Sequence, residues 1–160
     1  MKRRDFIINS LLLSSVPFIS QNTFANESMQ KANKMDISED QWRKILTKEQ
    51  FHVMRDEGTE RPFTSPLNNE KRKGTYVCVG CDSPLFSSDM KFDSGTGWPS
   101  FYTTLPKAFE TKLDFKLIYP RKEYHCATCG AHHGHVFNDG PEPTGERWCN
   151  NGVALKFIPA

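Results

Sequence analysis

The chain lacks the features that mark several common functional classes. Its longest apolar run, residues 7–19, is 13 residues long and is broken by Asn9 and three serines, whereas a bilayer-spanning helix takes about 20. Stable membrane insertion is therefore not expected. The formal net charge is only +2, and Lys2, Arg3 and Arg4 against Asp5 account for it. The remainder is close to neutral and holds no basic block. It offers no electrostatic footprint for nucleic acid. No internal repeat is visible beyond two short cysteine motifs. Apolar residues make up 37% and charged residues 25% of 160 residues, which fits one soluble globular domain.

Residues 1–25 read as an export signal. A basic start with a twin arginine (Arg3-Arg4) leads into the apolar run. Thr23-Phe24-Ala25 then supplies small residues where a signal peptidase reads them. An uncleaved membrane anchor is the alternative. The arginine pair points to the twin-arginine route, hence to the periplasm. That route carries folded proteins. Folding around a metal before export would protect several thiols from wrong disulfides in an oxidising compartment. Residues 26–35 are polar and without periodicity, a flexible leader. Residues 36–160 form the domain.

Two helices open it. Ser38-x-x-Gln41 and Thr47-x-x-Gln50 match capping boxes. Trp42, Ile45 and Leu46 share a face of the first helix, and Phe51 and Met54 of the second, which Gly58 can end. From Arg61 onward proline and glycine recur and short apolar runs replace helical spacing. Strands are expected at 74–78, 108–113, 115–119, 123–126, 132–137 and 153–158. The domain reads as mainly β.

The cysteines are the most informative residues. Cys78 and Cys81 form one Cys-x-x-Cys pair, Cys126 and Cys129 a second, and Cys149 stands alone. Gly80 and Gly130 permit the tight backbone of a metal knuckle. Two such pairs can complete a tetrahedral thiolate set around one structural zinc. With 44 residues between the pairs, the metal would staple distant segments rather than build a separate finger. Two local disulfides, or one thioredoxin-like redox pair, are the alternatives.

Cys149 lies in Arg147-Trp148-Cys149-Asn150-Asn151. A buried cysteine acting as a small hydrophobe is the plain reading. Its neighbours suggest another: Arg147 would stabilise a thiolate, Asn151 offers hydrogen bonds, and nearby histidines can supply a proton. His132 and His135 precede a β-like run. A second metal there lacks a carboxylate-rich partner set, and one of the three histidines 132, 133 and 135 is expected to be structural. Trp98, in a loop constrained by Gly97 and Pro99, is either a core residue or the wall of a small apolar pocket.

These motifs resemble a known family. Gly74-Thr75-Tyr76-Val77-Cys78, Lys91-Phe92-Asp93-Ser94-Gly95 and Gly97-Trp98-Pro99-Ser100-Phe101 are similar to those of B-type methionine sulfoxide reductases. So are Cys129-Gly130-Ala131-His132-x-Gly134-His135-Val136-Phe137, Arg147-x-Cys149-x-Asn151 and Leu155-Lys156-Phe157-Ile158-Pro159. The resemblance covers roughly 36–160. It implies two antiparallel β-sheets in a tent-like arrangement, stapled by zinc on Cys78, Cys81, Cys126 and Cys129, with short N-terminal helices. It implies reduction of the R epimer of methionine sulfoxide, free or in oxidised proteins; the chain is expected to act as a monomer. By motif position Cys149 is the nucleophile, leaving as sulfenic acid. His132, His135 and Asn151 surround the sulfoxide, and Trp98 packs on its methyl group. The family often has a resolving cysteine where this chain has Thr96. Regeneration then falls to an external thiol, small or thioredoxin-like. Asn150, Gly152 and Asn138 also depart from the commoner pattern. A non-catalytic, zinc-stapled binding module on the same scaffold is the rival reading, as is a thiol–disulfide oxidoreductase.

Overall fold

The computed structural model of the protein describes residues 35–117 and 119–160. The expected signal segment and residues 26–34 of the leader lie outside the described residues. Both capping boxes form. The Ser38 and Thr47 hydroxyls accept from the backbone N–H of Gln41 and Gln50, whose side chains reach back to the cap N–H groups. They start α1 (Glu39–Ile45) and α2 (Lys48–Met54), each cap contributing about 1 kcal/mol. Trp42, Leu46, Phe51, Val53 and Met54 are buried. Ile45 is not: it is 61% exposed, because it falls on the flank of the stripe and Leu46 turns inward in its place. α2 ends before Gly58. Glu57, rather than the glycine, takes the left-handed conformation, with φ of 55°.

Among the described residues nine strands follow: β1 (Gly74–Cys78), β2 (Pro84–Ser87), β3 (Lys91–Phe92), β4 (Ser100–Phe101), β5 (Phe109–Asp114), β6 (Arg121–Cys126), β7 (His132–Phe137), β8 (Arg147–Asn150) and β9 (Leu155–Pro159). They form two antiparallel sheets, β2-β1-β9 and β3-β4-β8-β7-β6-β5. The mainly β architecture with two short helices is thus as expected. Among the described residues of 115–119 the expected strand does not form. Asp114 Oδ1 accepts from Lys116 N–H at 2.8 Å, which turns the chain out of the β5 ladder, and Phe115, Leu117 and Tyr119 are exposed. The expected strand at 153–158 begins instead as a 3-10 turn (Gly152–Ala154) and becomes β9.

Aromatic side chains from both sheets form the core. Phe86 of β2 stacks on Phe101 of β4 at 3.9 Å between ring centroids. Tyr76 of β1 meets Phe101 edge-on at 5.0 Å. Tyr124 of β6 lies 4.9 Å from Trp148 of β8 and 4.8 Å from Phe109 of β5. Tyr76, Phe86, Phe101 and Tyr124 are fully buried, and each such ring stabilises the fold by roughly 1.5–3 kcal/mol relative to exposure. His133 is the structural histidine. It is fully buried, 5.3 Å from the Phe109 ring, and neither ring nitrogen has a hydrogen-bond partner among the described residues.

Two predictions follow from this packing. At Gly134 a Cβ would lie 1.9 Å from the Cys149 carbonyl oxygen. Gly134→Ala must force β7 from β8, and should lower stability by about 1–3 kcal/mol in urea unfolding. Burial pushes His133 down to about 3, while the unfolded chain titrates at about 6.5. Below about pH 6.5 the unfolded state binds a proton that the folded state refuses, so stability falls as pH drops toward 3. Between pH 7 and 5 this histidine should cost about 2 kcal/mol. His133→Leu should remove that portion of the acid dependence, read as a flatter shift of the urea midpoint.

Candidate active site and metal centre

Strand register builds one line of side chains across the large sheet. Lys112 pairs with Glu123, Glu123 with His135, His135 with Cys149, and Cys149 with Ser100. Directly opposed residues of antiparallel strands point to the same face. Along β8 the faces alternate. Trp148 and Asn150 enter the core, where the Tyr124 hydroxyl donates to Asn150 Oδ1 at 2.9 Å. Arg147 and Cys149 face the other way.

Cys149 sits there in a small cavity of about 120 Å³, walled by Trp98, Gly134, His135, Asn150 and Asn151. The volume admits the end of one side chain. Trp98 is held by its indole N–H, which donates to the Glu60 carbonyl at 3.1 Å. Asn151 is buried. Its Oδ1 accepts from Glu60 N–H at 3.0 Å and its Nδ2 donates to His133 O at 2.9 Å. A carboxamide has two N–H bonds, so one remains for a ligand.

Arg147 stands beside Cys149 but is chiefly engaged by Asp139, in a fork of 2.8 and 2.9 Å. Arg147 acts on Cys149 in the expected direction, its charge favouring the thiolate, but burial outweighs it. Burial raises the Cys149 thiol above its ordinary value, and the Arg147 charge and a Thr96 hydrogen bond oppose this without reversing it. The resting group is a thiol and needs a base.

His135 can be that base. Burial lowers its pKa, against the pull of Asp114, so it is neutral near pH 7. Asp114 Oδ2 lies 2.8 Å from His135 Nε2 and 2.6 Å from Arg121 Nη2. His132 is one step removed. It does not line the Cys149 cavity; its Nδ1 lies 2.8 Å from Glu123 Oε1, and it borders a second hollow with Glu57 and Lys112. Its ring centroid is 5.6 Å from that of His135. Asp114, Arg121, Glu60 and Asp139 are contributors that sequence reasoning missed. No motif marks them; only strand register and loop closure bring them in.

The other four cysteines converge elsewhere. Cys78 ends β1 and Cys126 ends β6, so the two sheets meet at this cluster. Cys78 Sγ lies 3.6 Å from Cys129 Sγ, and Cys81 Sγ 3.6 Å from Cys126 Sγ. All four sulfurs fall within 4.8 Å of one another. A tetrahedral ion with metal–sulfur bonds of about 2.3 Å holds its sulfurs about 3.8 Å apart, so this donor set fits such an ion. None of the four is in a disulfide, and the two knuckles face each other, unlike separate local bridges. The helices press on them. A Cβ at Gly80 would lie 3.2 Å from Met54 Cε, and Arg55 Nη1 donates to Cys129 O at 3.1 Å.

Comparison with known proteins agrees with this geometry. Residues 46–159 match the SelR domain. The chain is 52% identical over 135 residues to peptide methionine sulfoxide reductase B1, chloroplastic, of Arabidopsis thaliana, covering 82% of this chain and 67% of that one. It is 52% identical over 126 residues to peptide methionine sulfoxide reductase MsrB of Methanosarcina mazei, covering 78% and 90%. It is 50% identical over 140 residues to methionine-R-sulfoxide reductase B2, mitochondrial, of Rattus norvegicus, covering 80% and 78%. With the domain matched almost end to end and identity near one half, the chain belongs to the SelR family of methionine sulfoxide reductases, oxidoreductases that act on methionine sulfoxide.

Proposed function

We propose that the chain reduces the R epimer of methionine sulfoxide, free or in proteins, through a sulfenic acid on Cys149. The observation that carries this reading is the adjacency of Cys149 and His135 on paired strands, in a cavity walled by Trp98. The indole receives the substrate methyl group. The free N–H of Asn151 and the His135 imidazole meet the sulfoxide oxygen. His135 takes the thiol proton as Cys149 Sγ attacks the sulfoxide sulfur, and returns it to the oxygen, which otherwise leaves badly. The protonated oxygen then passes to Cys149 Sγ as its bond to the substrate sulfur and the transient sulfur–sulfur bond both break, which releases the thioether. Thiol plus sulfoxide become sulfenic acid plus thioether, and the atoms balance. Two external thiols then restore Cys149, forming their own disulfide and water. Thr96 occupies the position of a resolving cysteine, and the remaining four sulfurs are committed to the metal cluster. That supports an external reductant, a small thiol or a thioredoxin-like protein.

We further propose that Cys78, Cys81, Cys126 and Cys129 hold one structural zinc. It supplies cross-linking rather than chemistry. The twin arginine and the apolar run after it support export to the periplasm, with residues 1–25 removed and residues 36–160 acting as a monomer.

One assay tests the activity. With a small dithiol as reductant, the protein should turn over the R epimer and leave the S epimer. Cys149→Ser should lose at least about 1,000-fold in kcat/KM. Activity surviving in that variant would remove Cys149 from the role of nucleophile. Mass spectrometry after one turnover without reductant should find Cys149 oxidised and no intramolecular disulfide.

Metal analysis tests the staple. About one zinc per chain is expected. Cys126→Ser should lose it and shift thermal unfolding down by ten degrees or more, on the order of several kcal/mol. A metal-free wild type with unchanged unfolding would refute the staple.

A further inference from the structure

We propose that Asp114, locked by Arg121, is the positioning residue of His135, and that it makes Nδ1 the nitrogen that exchanges the proton with Cys149 and the sulfoxide. The inference rests on the reduction chemistry proposed above. Asp114 is the last residue of β5 and Arg121 the first of β6, and the two are paired in the ladder. Asp114 is 7% exposed. Three donors converge on its carboxylate: Lys116 N–H at 2.8 Å on Oδ1, and Arg121 Nη2 at 2.6 Å and His135 Nε2 at 2.8 Å on Oδ2.

A carboxylate so surrounded is an acceptor only. These same contacts hold the Asp114 carboxyl well below the usual carboxylate range, the Lys116 N–H bond foremost. The hydrogen between His135 and Asp114 therefore resides on Nε2. In a neutral imidazole the lone pair is then on Nδ1. No protein group bonds Nδ1 among the described residues, and His135 borders the cavity that holds Cys149.

The other charged groups around His135 do not compete for it. Glu123, opposite on β6, is spent on His132 Nδ1 at 2.8 Å and Lys112 Nζ at 3.2 Å. Arg147 beside Cys149 on β8 is held by Asp139. His132 on β7 points its Nδ1 at Glu123. Arg121 lowers the His135 affinity for a proton and Asp114 raises it.

In the reaction the Cys149 proton moves to Nδ1 as the sulfur–sulfur contact forms, and from Nδ1 to the sulfoxide oxygen as that oxygen leaves the substrate sulfur for Cys149 Sγ and the sulfur–sulfur contact breaks. Asp114 stabilises the transient imidazolium without itself changing protonation.

Nitrogen-15 NMR of histidine-labelled protein, with His135 assigned by His135→Gln, reads the tautomer directly. Near pH 8 the wild type should carry its ring proton on Nε2. Asp114→Asn presents an amide that can donate to Nε2, so the proton should move partly or wholly to Nδ1. That variant should lose about 100-fold or more in kcat, with KM changed little. The acid limb of kcat/KM should move to lower pH, because a charge that favoured the imidazolium is gone. Asp114→Glu, which keeps the charge, should recover part of the loss. A wild-type proton on Nδ1 overturns the proposal, as does full kcat in folded Asp114→Asn. Should Asp114→Asn fail to fold, the wild-type spectrum decides alone. A wild type that cannot reduce the R epimer would sink the functional reading instead, leaving the spectrum to judge the tautomer.

Discussion

The close approach of β7 to β8 is the constraint on which the site depends. Gly134 packs its Cα against the Cys149 carbonyl with no space for a side chain. One residue along the ladder, His135 faces Cys149 directly. A histidine on a loop would sample many positions. Here two backbones joined by ladder hydrogen bonds fix the donor and the sulfur, and little ordering is left for the substrate to impose. Trp148 and Asn150 anchor the same strand from below, against Tyr124. The aromatic core is therefore the foundation of the reactive surface.

The sulfur atoms are separated by topology. Four sit where β1 and β6 end, under α1 and α2; the fifth sits mid-strand in β8. A metal on the quartet would keep those thiols from attacking an oxidised Cys149, since exchange needs a free thiolate with access. It would also clamp one sheet to the other where β1 and β6 end. A domain of this size buries a limited core, so such a clamp contributes a large fraction of its stability.

How far all this was legible depended on the type of signal. The capping boxes at Ser38 and Thr47 are local and were readable as such. So were the knuckles, whose meaning lies in their spacing. Strand β7 showed alternation, but β8, β3 and β4 did not. β3 and β4 have two residues each, too few for a period. β8 is nearly buried on both faces, which erases the alternation. The apolar residues 115, 117 and 119 suggested a strand; Asp114 turns the chain there, and no periodicity reports that. Cys149, His135 and Trp98 stood out because their residue types are chemically conspicuous, and the fold brings them to one cavity. Asp114 and Glu60 were missed because carboxylates are common, and their burial arises only from tertiary closure.

Glu60 illustrates what closure adds. It is buried, and burial raises its pKa while the N–H groups of Gly152 and Val153 oppose this. Its carboxylate accepts from Gly152 at 2.6 Å and Val153 at 2.9 Å. Its own carbonyl takes the Trp98 indole and its own N–H takes Asn151. One residue before the sheets thus ties the pocket wall, the polar amide and the turn after Cys149 to one another. The same packing explains Gly152. A Cβ there would lie 1.9 Å from Ser65 Oγ, so Ser65 leaves no room for a side chain at 152. The indole and the amide are held by bonds to backbone rather than to mobile side chains. The cavity beside Cys149 therefore keeps its shape through the backbone that closes it.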